Sequence, residues 1–273
     1  MMERWRAVAA APERYRLAEG PVWDAPRERL LWVEIEAGAV HTGRLDGMRV
    51  VRTGTRVLDR TVGAVAVGRA GELLVVDPDG AVTPGPRILP EGGGRRLNDG
   101  KCDPDGVFWV GSLAFDERPG GEVLVRVGAD RGVTTVDEGL SLSNGLAWSP
   151  DGTLFYSIDT TPRTVHVRPW PTGTRGTFLT AGFAPDGMCA DAAGNLWIAC
   201  YGAGEVRRYA PDGTLTGVVE VDEPEVTCPA FVGPGLDRLL ITTRPGLFLA
   251  DVGTTGLPAT PWAGFDDEET TCS

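Results

Sequence analysis

An apolar run that follows a turn recurs along this chain at a nearly constant interval, and few folds produce such a recurrence. The copies are Arg29-Leu30-Leu31-Trp32-Val33, Gly71-Glu72-Leu73-Leu74-Val75-Val76, Gly106-Val107-Phe108-Trp109-Val110, Gly152-Thr153-Leu154-Phe155-Tyr156, Gly194-Asn195-Leu196-Trp197-Ile198 and Asp237-Arg238-Leu239-Leu240-Ile241. With Leu31, Leu74, Phe108, Phe155, Leu196 and Leu240 as markers, successive gaps are 43, 34, 47, 41 and 44 residues. A shorter apolar segment precedes each run, as in Gly145-Leu146-Ala147-Trp148, and a third strand-like piece follows most of them, as in Thr164-Val165-His166-Val167. No stretch longer than about ten residues sustains an i, i+3, i+4 apolar pattern, so long amphipathic helices are not expected.

Short strands repeating with a period near ~40 residues are the signature of a β-propeller. Six copies predict an all-β, six-bladed β-propeller, with four-stranded antiparallel blades around a central channel. Residues 1–273 are then expected to form a single propeller domain. The high glycine and proline counts, 38 and 21, agree with a chain that turns often. A β-sandwich would not generate a regular repeat. Closing the ring requires the termini to share a blade, for which Trp5 to Val8 or Tyr15 to Leu17 are the available segments. The second copy has no polar residue at the position where the others carry one.

The repeat has a chemical phase as well as a structural one. Before the glycine or proline that opens the first apolar segment stand Glu19, Asp99 with Asn98 beside it, Asn144 and Asp186, and Thr227 takes the place in the last copy. Equivalent positions of a propeller lie on a ring, and this one falls at the start of the innermost strand, at the channel mouth. A single Asp-Gly or Asn-Gly pair is ordinarily a turn; several in one phase bring carboxylates together, which repel unless a cation lies between them. Oxygen donors from Glu19, Asn144 and Asp186 would make a hard site for one divalent metal ion, calcium first, with zinc, manganese, magnesium or iron(II) as alternatives. His41 and His166 lie in third-strand pieces, away from this ring, which argues against a histidine-rich zinc site.

Arg95-Arg96-Leu97-Asn98-Asp99-Gly100-Lys101 is the most polar cluster. Arg96 and Asn98 are two apart, share a strand face, and could hold a substrate's hydroxyls or carbonyl. Asp116 and Glu117 lie in the longest irregular insertion. No Gly-x-Ser-x-Gly elbow and no phosphate-binding loop occur; Glu91-Gly92-Gly93-Gly94 lacks the Lys-Ser/Thr that would complete one. The tryptophans at 23, 32, 109, 148 and 197 read as packing residues.

A formal net charge of −12 repels phosphate backbones, so no nucleic acid partner is expected. No apolar run approaches a membrane span, and Met1 to Arg16 has no signal-peptide pattern. Five cysteines without a CxxC pair fit reduced thiols, and a cytoplasmic monomer or weak dimer is expected. Asp266 to Ser273 reads as a solvated acidic end.

Four ordered blocks carry a resemblance. They are Leu17-Ala18-Glu19-Gly20-Pro21-Val22-Trp23-Asp24, Arg96-Leu97-Asn98-Asp99-Gly100-Lys101-Cys102-Asp103-Pro104, Ser143-Asn144-Gly145-Leu146-Ala147-Trp148-Ser149, and Pro185-Asp186-Gly187-Met188-Cys189-Ala190-Asp191 with Leu196-Trp197-Ile198-Ala199. In these the chain resembles the senescence marker protein/gluconolactonase/luciferin-regenerating enzyme-like family, which includes regucalcin. The resemblance implies a six-bladed propeller with one divalent metal held by Glu19, Asn144 and Asp186. It implies Arg96 and Asn98 as substrate contacts, helped by Asp116 or Glu117, and Asp186 as general base. It further implies a lactonase-type ester hydrolase opening a small-molecule sugar lactone such as gluconolactone. The same site acting on another ester or a specialised metabolite, and a non-enzymatic calcium-binding propeller, are the alternatives.

Overall fold

The structure, a computed structural model, describes residues 2–58, 61–70, 73–76, 81–116 and 118–265. Six β-sheets are arranged as the six blades of a propeller. Blade one runs through Ala18–Asp24, Arg29–Glu34, Ala39–Asp46 and Arg49–Val57, each strand antiparallel to the last. Blade three (Arg95–Cys102, Phe108–Ala114, Glu122–Val127, Val133–Leu140) and blade four (Ser143–Trp148, Leu154–Asp159, Thr164–Pro169, Gly176–Thr180) repeat that order.

The other blades depart from the expected four antiparallel strands in instructive ways. Among the described residues blade two has three strands, Val65–Val67, Leu73–Val76 and Val82–Thr83. Blade five (Ala184–Ala190, Leu196–Tyr201, Glu205–Tyr209, Leu215–Glu220) gains Glu3–Arg6 as a fifth strand, parallel to its outermost one. Blade six (Val226–Val232, Arg238–Thr243, Leu247–Ala250) is completed by Val8–Ala9, antiparallel to Leu247–Ala250. The N-terminal segment therefore crosses from blade five to blade six at Ala7 and ties the ring shut. Tyr15 to Leu17 forms no strand; Tyr15 N donates to Pro245 O at 2.8 Å instead.

The core confirms the ring independently of the sheets. Among the described residues it consists of six apolar clusters, each a wedge between two adjacent blades. Trp32 and Leu30 of blade one meet Leu240 and Leu249 of blade six. Leu31 and Val33 meet Val65 and Val75 of blade two, and Leu74 and Val76 meet Phe108 and Val110 of blade three. Trp109 then packs with Leu146 and Phe155, Tyr156 and Ile158 with Met188 and Ile198, and Trp197 with Phe231 and Leu239, which closes the circle. Burying both faces of each blade places the apolar stabilisation between blades and leaves the axis free for polar side chains.

The tryptophans of the blades serve different ends. Trp109 Nε1 donates to Asp103 Oδ2 at 2.8 Å, and Trp197 Nε1 to Asp191 Oδ2 at 3.0 Å. In both, an aspartate in the turn after the first strand also accepts backbone N–H groups, so the turn and the second strand are locked together. Trp23 and Trp148 instead end first strands and have no such partner.

After blade six the chain crosses the end of the channel remote from the strand starts. Ala192 N donates to Thr255 O at 2.9 Å, Trp262 N to Val67 O at 2.9 Å and Ala263 N to Gly106 O at 2.9 Å, so the segment straps blades five, two and three. Leu257 to Pro261 floor a cavity of ≈ 370 Å³ on the channel axis, with Met188, Cys189, Cys228 and Lys101 among its walls. No periodic signal in the sequence marks this strap. The acidic end 266–273 and Glu117 lie outside the described residues. Cys102, Cys189, Cys200 and Cys228 are buried free thiols, as expected. Among the described residues no helix is long and apolar enough to cross a membrane.

Candidate active site

The innermost strands do not run as regular ladders. Each of the five that carries a polar residue at the ring shifts register there: between Glu19 and Val22, Leu97 and Gly100, Asn144 and Leu146, Pro185 and Met188, and Val226 and Cys228. A bulge breaks the strict alternation of side chains and re-aims one of them. The glycines beside the ring make this possible. A Cβ on Gly145 would lie 2.7 Å from Asp186 O, and one on Gly187 would lie 2.5 Å from Cys228 Sγ. Only glycine lets neighbouring innermost strands approach so closely at this level.

Four of the predicted residues form one hydrogen-bonded chain. Arg96 Nη1 donates to Asn98 Oδ1 at 2.7 Å, Asn98 Nδ2 donates to Asn144 Oδ1 at 3.2 Å, and Asn144 Nδ2 donates to Asp186 Oδ1. Asn98 Nδ2 also reaches Ser143 O at 3.0 Å. Asn144 Nδ2 reaches Thr160 Oγ1 at 3.1 Å, and Thr160 passes its own proton to Pro185 O at 2.7 Å. A guanidinium only donates and a carboxylate only accepts, so the two ends fix the orientation of both amides. Asn98 is consequently spent on holding Arg96 and Asn144 rather than free to donate outward. Thr160 and Ser143 had no signal in the sequence.

Glu19, Asn144 and Asp186 are all buried, at 5, 4 and 8% exposure. Glu19 Oε2 accepts from Gly20 N at 2.8 Å. Burial pushes the Glu19 carboxyl well above the usual range, and the charges of Asp99 and Asp186 push it further. Burial and Asp99 likewise raise Asp186, against the Asn144 hydrogen bond. Asp99 itself is raised to about 6 by burial, while Lys101 and Arg96 pull it down. Three carboxylates thus stand close enough to feel one another, with two cations beside them. Asp99 belongs to this group, although the sequence pattern alone left it level with Asn98.

The other predicted residues take no part in this hydrogen-bonded chain. Thr227 Oγ1 donates to Ala18 O at 2.8 Å and pairs with Thr242, tying blade six to blade one. Asp116 lies on an exposed loop, its carboxylate 3.1 Å from Arg118 Nη1. Among the described residues no hydrogen bond joins Asp116 to Arg96, Asn98 or Asp186. His41 and His166 sit in third strands, remote from the ring.

The donor chemistry suits a hard divalent cation. Among the described residues no three His, Cys, Asp or Glu side chains form a ready ligand cluster, and an amide oxygen could complete an oxygen donor set. Asn144 Oδ1 can: one lone pair accepts from Asn98, and the second remains. Asp186 and Glu19 each keep a second carboxylate oxygen beyond the one that accepts from Asn144 or from Gly20 N. All three are oxygen donors, the kind calcium, magnesium and manganese take.

A family model described as SMP-30/gluconolactonase/LRE-like region matches residues 17–244. A pentonolactonase of Haloferax volcanii is 33% identical, with 89% of this chain and 93% of that protein covered. A 6-deoxy-6-sulfogluconolactonase of Pseudomonas putida is 32% identical, over 89% of this chain and 88% of its own. Among solved structures, a calcium-binding protein, regucalcin, from Agrobacterium tumefaciens matches with a TM-score of 0.83 and 26% identity, covering 96% of this chain and 99% of that one. A luciferin-regenerating enzyme matches with a TM-score of 0.84 at 23% identity, covering 94% and 99%, and shows the shared fold.

Proposed function

The chain belongs to the SMP-30/gluconolactonase/LRE-like family, and from that membership and the polar chain at its channel mouth we propose that it is a divalent-metal-dependent hydrolase opening a sugar lactone. The observation that carries this reading is the convergence of Glu19, Asn144 and Asp186 with the Arg96–Asn98 pair at one end of the channel. Relatives named for lactone hydrolysis support the reaction class. The relative named as calcium-binding supports a metal, calcium before zinc, manganese, magnesium or iron(II).

Glu19, Asn144 and Asp186 would hold the ion. When bound, it supplies Lewis acidity for the lactone carbonyl and charge stabilisation for the oxyanion that develops. The residues do the rest. Asp186 offers a carboxylate oxygen, beyond the one that Asn144 binds, to take a proton from the attacking water. The water oxygen bonds to the carbonyl carbon, the ring C–O bond breaks, and the proton returns to the departing alkoxide, leaving a hydroxy acid. Arg96, held by Asn98, presents its remaining guanidinium N–H groups to the substrate and keeps its ring in line. Asp116, from its loop, is left as a helper at the outer edge.

The test is a pH-indicator assay over a panel of aldonolactones, with and without EDTA, beside metal analysis of the purified protein. Acid release that stops with EDTA and returns with one added metal is expected. Tight metal without turnover of any lactone or ester would favour the calcium-binding propeller instead.

A further inference from the structure

We propose that Tyr201, Glu225, Arg244 and Glu36 form a second subsite along the channel mouth, which binds the hydroxylated arm of a neutral lactone and turns away an anionic arm. The proposal rests on the lactonase reading for its substrate, and on this geometry for its residues.

The four side chains make a continuous arc over blades five, six and one. Tyr201 OH donates to Glu225 Oε1 at 2.6 Å. Arg244 Nε stands 4.0 Å from Glu225 Oε2, and Arg244 Nη2 pairs with Glu36 Oε1. Both ends of the arc touch the ring electrostatically: the Asp186 charge reaches the Tyr201 hydroxyl, and the Glu36 charge reaches Arg96. Ala184, two residues before Asp186, is the strand partner of Tyr201. The arc therefore continues from the candidate base around to the candidate substrate arginine, over the blade where Thr227 leaves the ring without a ligand.

Two features mark it as a binding surface rather than a set of incidental ion pairs. Its members are open to the mouth, with Arg244, Glu36 and Glu225 side chains between 38 and 42% exposed. Arg244 Nε itself is buried beside Glu225, so a ligand meets the exposed remainder of that guanidinium. The backbone beneath is firm: Tyr201 and Glu225 form a β-bridge, and Arg244 N donates to Glu225 O at 2.9 Å. A firm frame lets the side chains discriminate without an ordering cost.

The charge pattern names the ligand. One guanidinium lies between two carboxylates, so the arc carries net negative charge. Vicinal hydroxyls can donate hydrogen bonds to Glu36 or Glu225 and accept one from the exposed part of the Arg244 guanidinium. A phosphate or sulfonate would meet two carboxylates and be rejected.

The experiment compares wild type, Tyr201→Phe and Arg244→Gln on D-glucono-1,5-lactone and on δ-valerolactone, which has no hydroxyls. D-Glucitol binding is measured by calorimetry in parallel. The ratio of kcat/KM for the hydroxylated over the bare lactone should fall about tenfold in each variant, through KM, with glucitol binding weakened alike. In the Glu36→Gln/Glu225→Gln protein, 6-phosphogluconolactone should gain at least tenfold relative to gluconolactone. An unchanged ratio, or equal losses on both lactones, would overturn the subsite. If wild type opens neither lactone, the lactonase reading falls, and the subsite stands or falls on whether Tyr201→Phe weakens glucitol binding.

Discussion

Asn98 donates its amide N–H to the amide oxygen of Asn144 at 3.2 Å, and this single bond decides which atom of Asn144 faces which neighbour. With Asn98 in place, Asn144 turns its nitrogen to Asp186 and keeps an oxygen lone pair for a cation. Removing the donor in Asn98→Ala leaves the Asn144 oxygen unpinned and leaves Arg96 Nη1 with only Leu97 O, at 3.1 Å, of its two acceptors. Groups that orient a metal ligand contribute roughly 10- to 100-fold to metal affinity. Calcium titrated into the variant by calorimetry should bind weaker by that factor, with the fold intact by circular dichroism. Unaltered affinity would show that the amide chain does not organise the ion.

Asp186 has two proposed duties, and substitution can separate them. Asp186→Asn retains one oxygen, which can face the ion or accept from Asn144, but it cannot take a proton from water. Turnover of the best lactone should fall by about 10²- to 10⁴-fold, the usual contribution of a general base. The metal-free variant should melt no lower than metal-free wild type, because a carboxylate raised by burial and by Asp99 is then replaced by a neutral group. Retained turnover would remove Asp186 from the role of base while leaving it a ligand.

A pH effect should arise far from the ring, at His41. Its ring nitrogens stand 2.9 Å from Thr55 Oγ1 and 3.1 Å from Glu34 Oε2. Burial lowers its pKa below 6.5; Glu34 and Glu13 work against this, and Arg52 works with it. A base whose folded pKa is depressed contributes stability above its unfolded pKa, and that contribution is lost as pH falls through the folded value. The melting temperature of wild type should therefore drop more between pH 7 and pH 5 than that of His41→Gln. Parallel slopes for the two proteins would mean that His41 binds its proton equally well folded and unfolded, so that burial does not depress it.

The ring and the blade count were legible because both depend on position in a repeat. Leu31, Phe108 and Leu196 mark the period, and Glu19, Asn144 and Asp186 mark its polar phase. What the chain could not disclose depends on how blades meet. The register shift at Asn98–Asp99 places an amide and a carboxylate at one level, and no alternation rule forecasts it. Thr160 reaches Asn144 from the loop after the second strand of its blade, a spacing with no motif. The strap from Gly256 to Ala263 has no periodicity, since its backbone bonds to three separate blades. The N-terminal segment was expected to close the last blade, and Val8–Ala9 does so; Glu3–Arg6 instead joins blade five, and its strand propensity alone could not choose between two open edges.

The turn aspartate of blade five offers the sharpest stability test. Asp191 is fully buried, and its Oδ1 accepts from Ala193 N at 3.0 Å and Asn195 N at 2.9 Å. Its Oδ2 accepts from Asn195 Nδ2 at 2.9 Å and Trp197 Nε1 at 3.0 Å. Asp191→Ala would strand several buried donors, including the indole N–H of a tryptophan that is itself wholly inside the wedge with blade six. Each stranded donor costs about 1–3 kcal/mol, so a loss of about 3–5 kcal/mol is expected once the turn relaxes around some of them. Asp191→Asn keeps the Oδ1 acceptor for the backbone but puts N–H groups where Trp197 and Asn195 donate, and should fall between alanine and wild type. Urea unfolding of the three proteins reads this order directly. If alanine and wild type share a midpoint, the aspartate–tryptophan bond is not what holds the second strand of the blade to its turn.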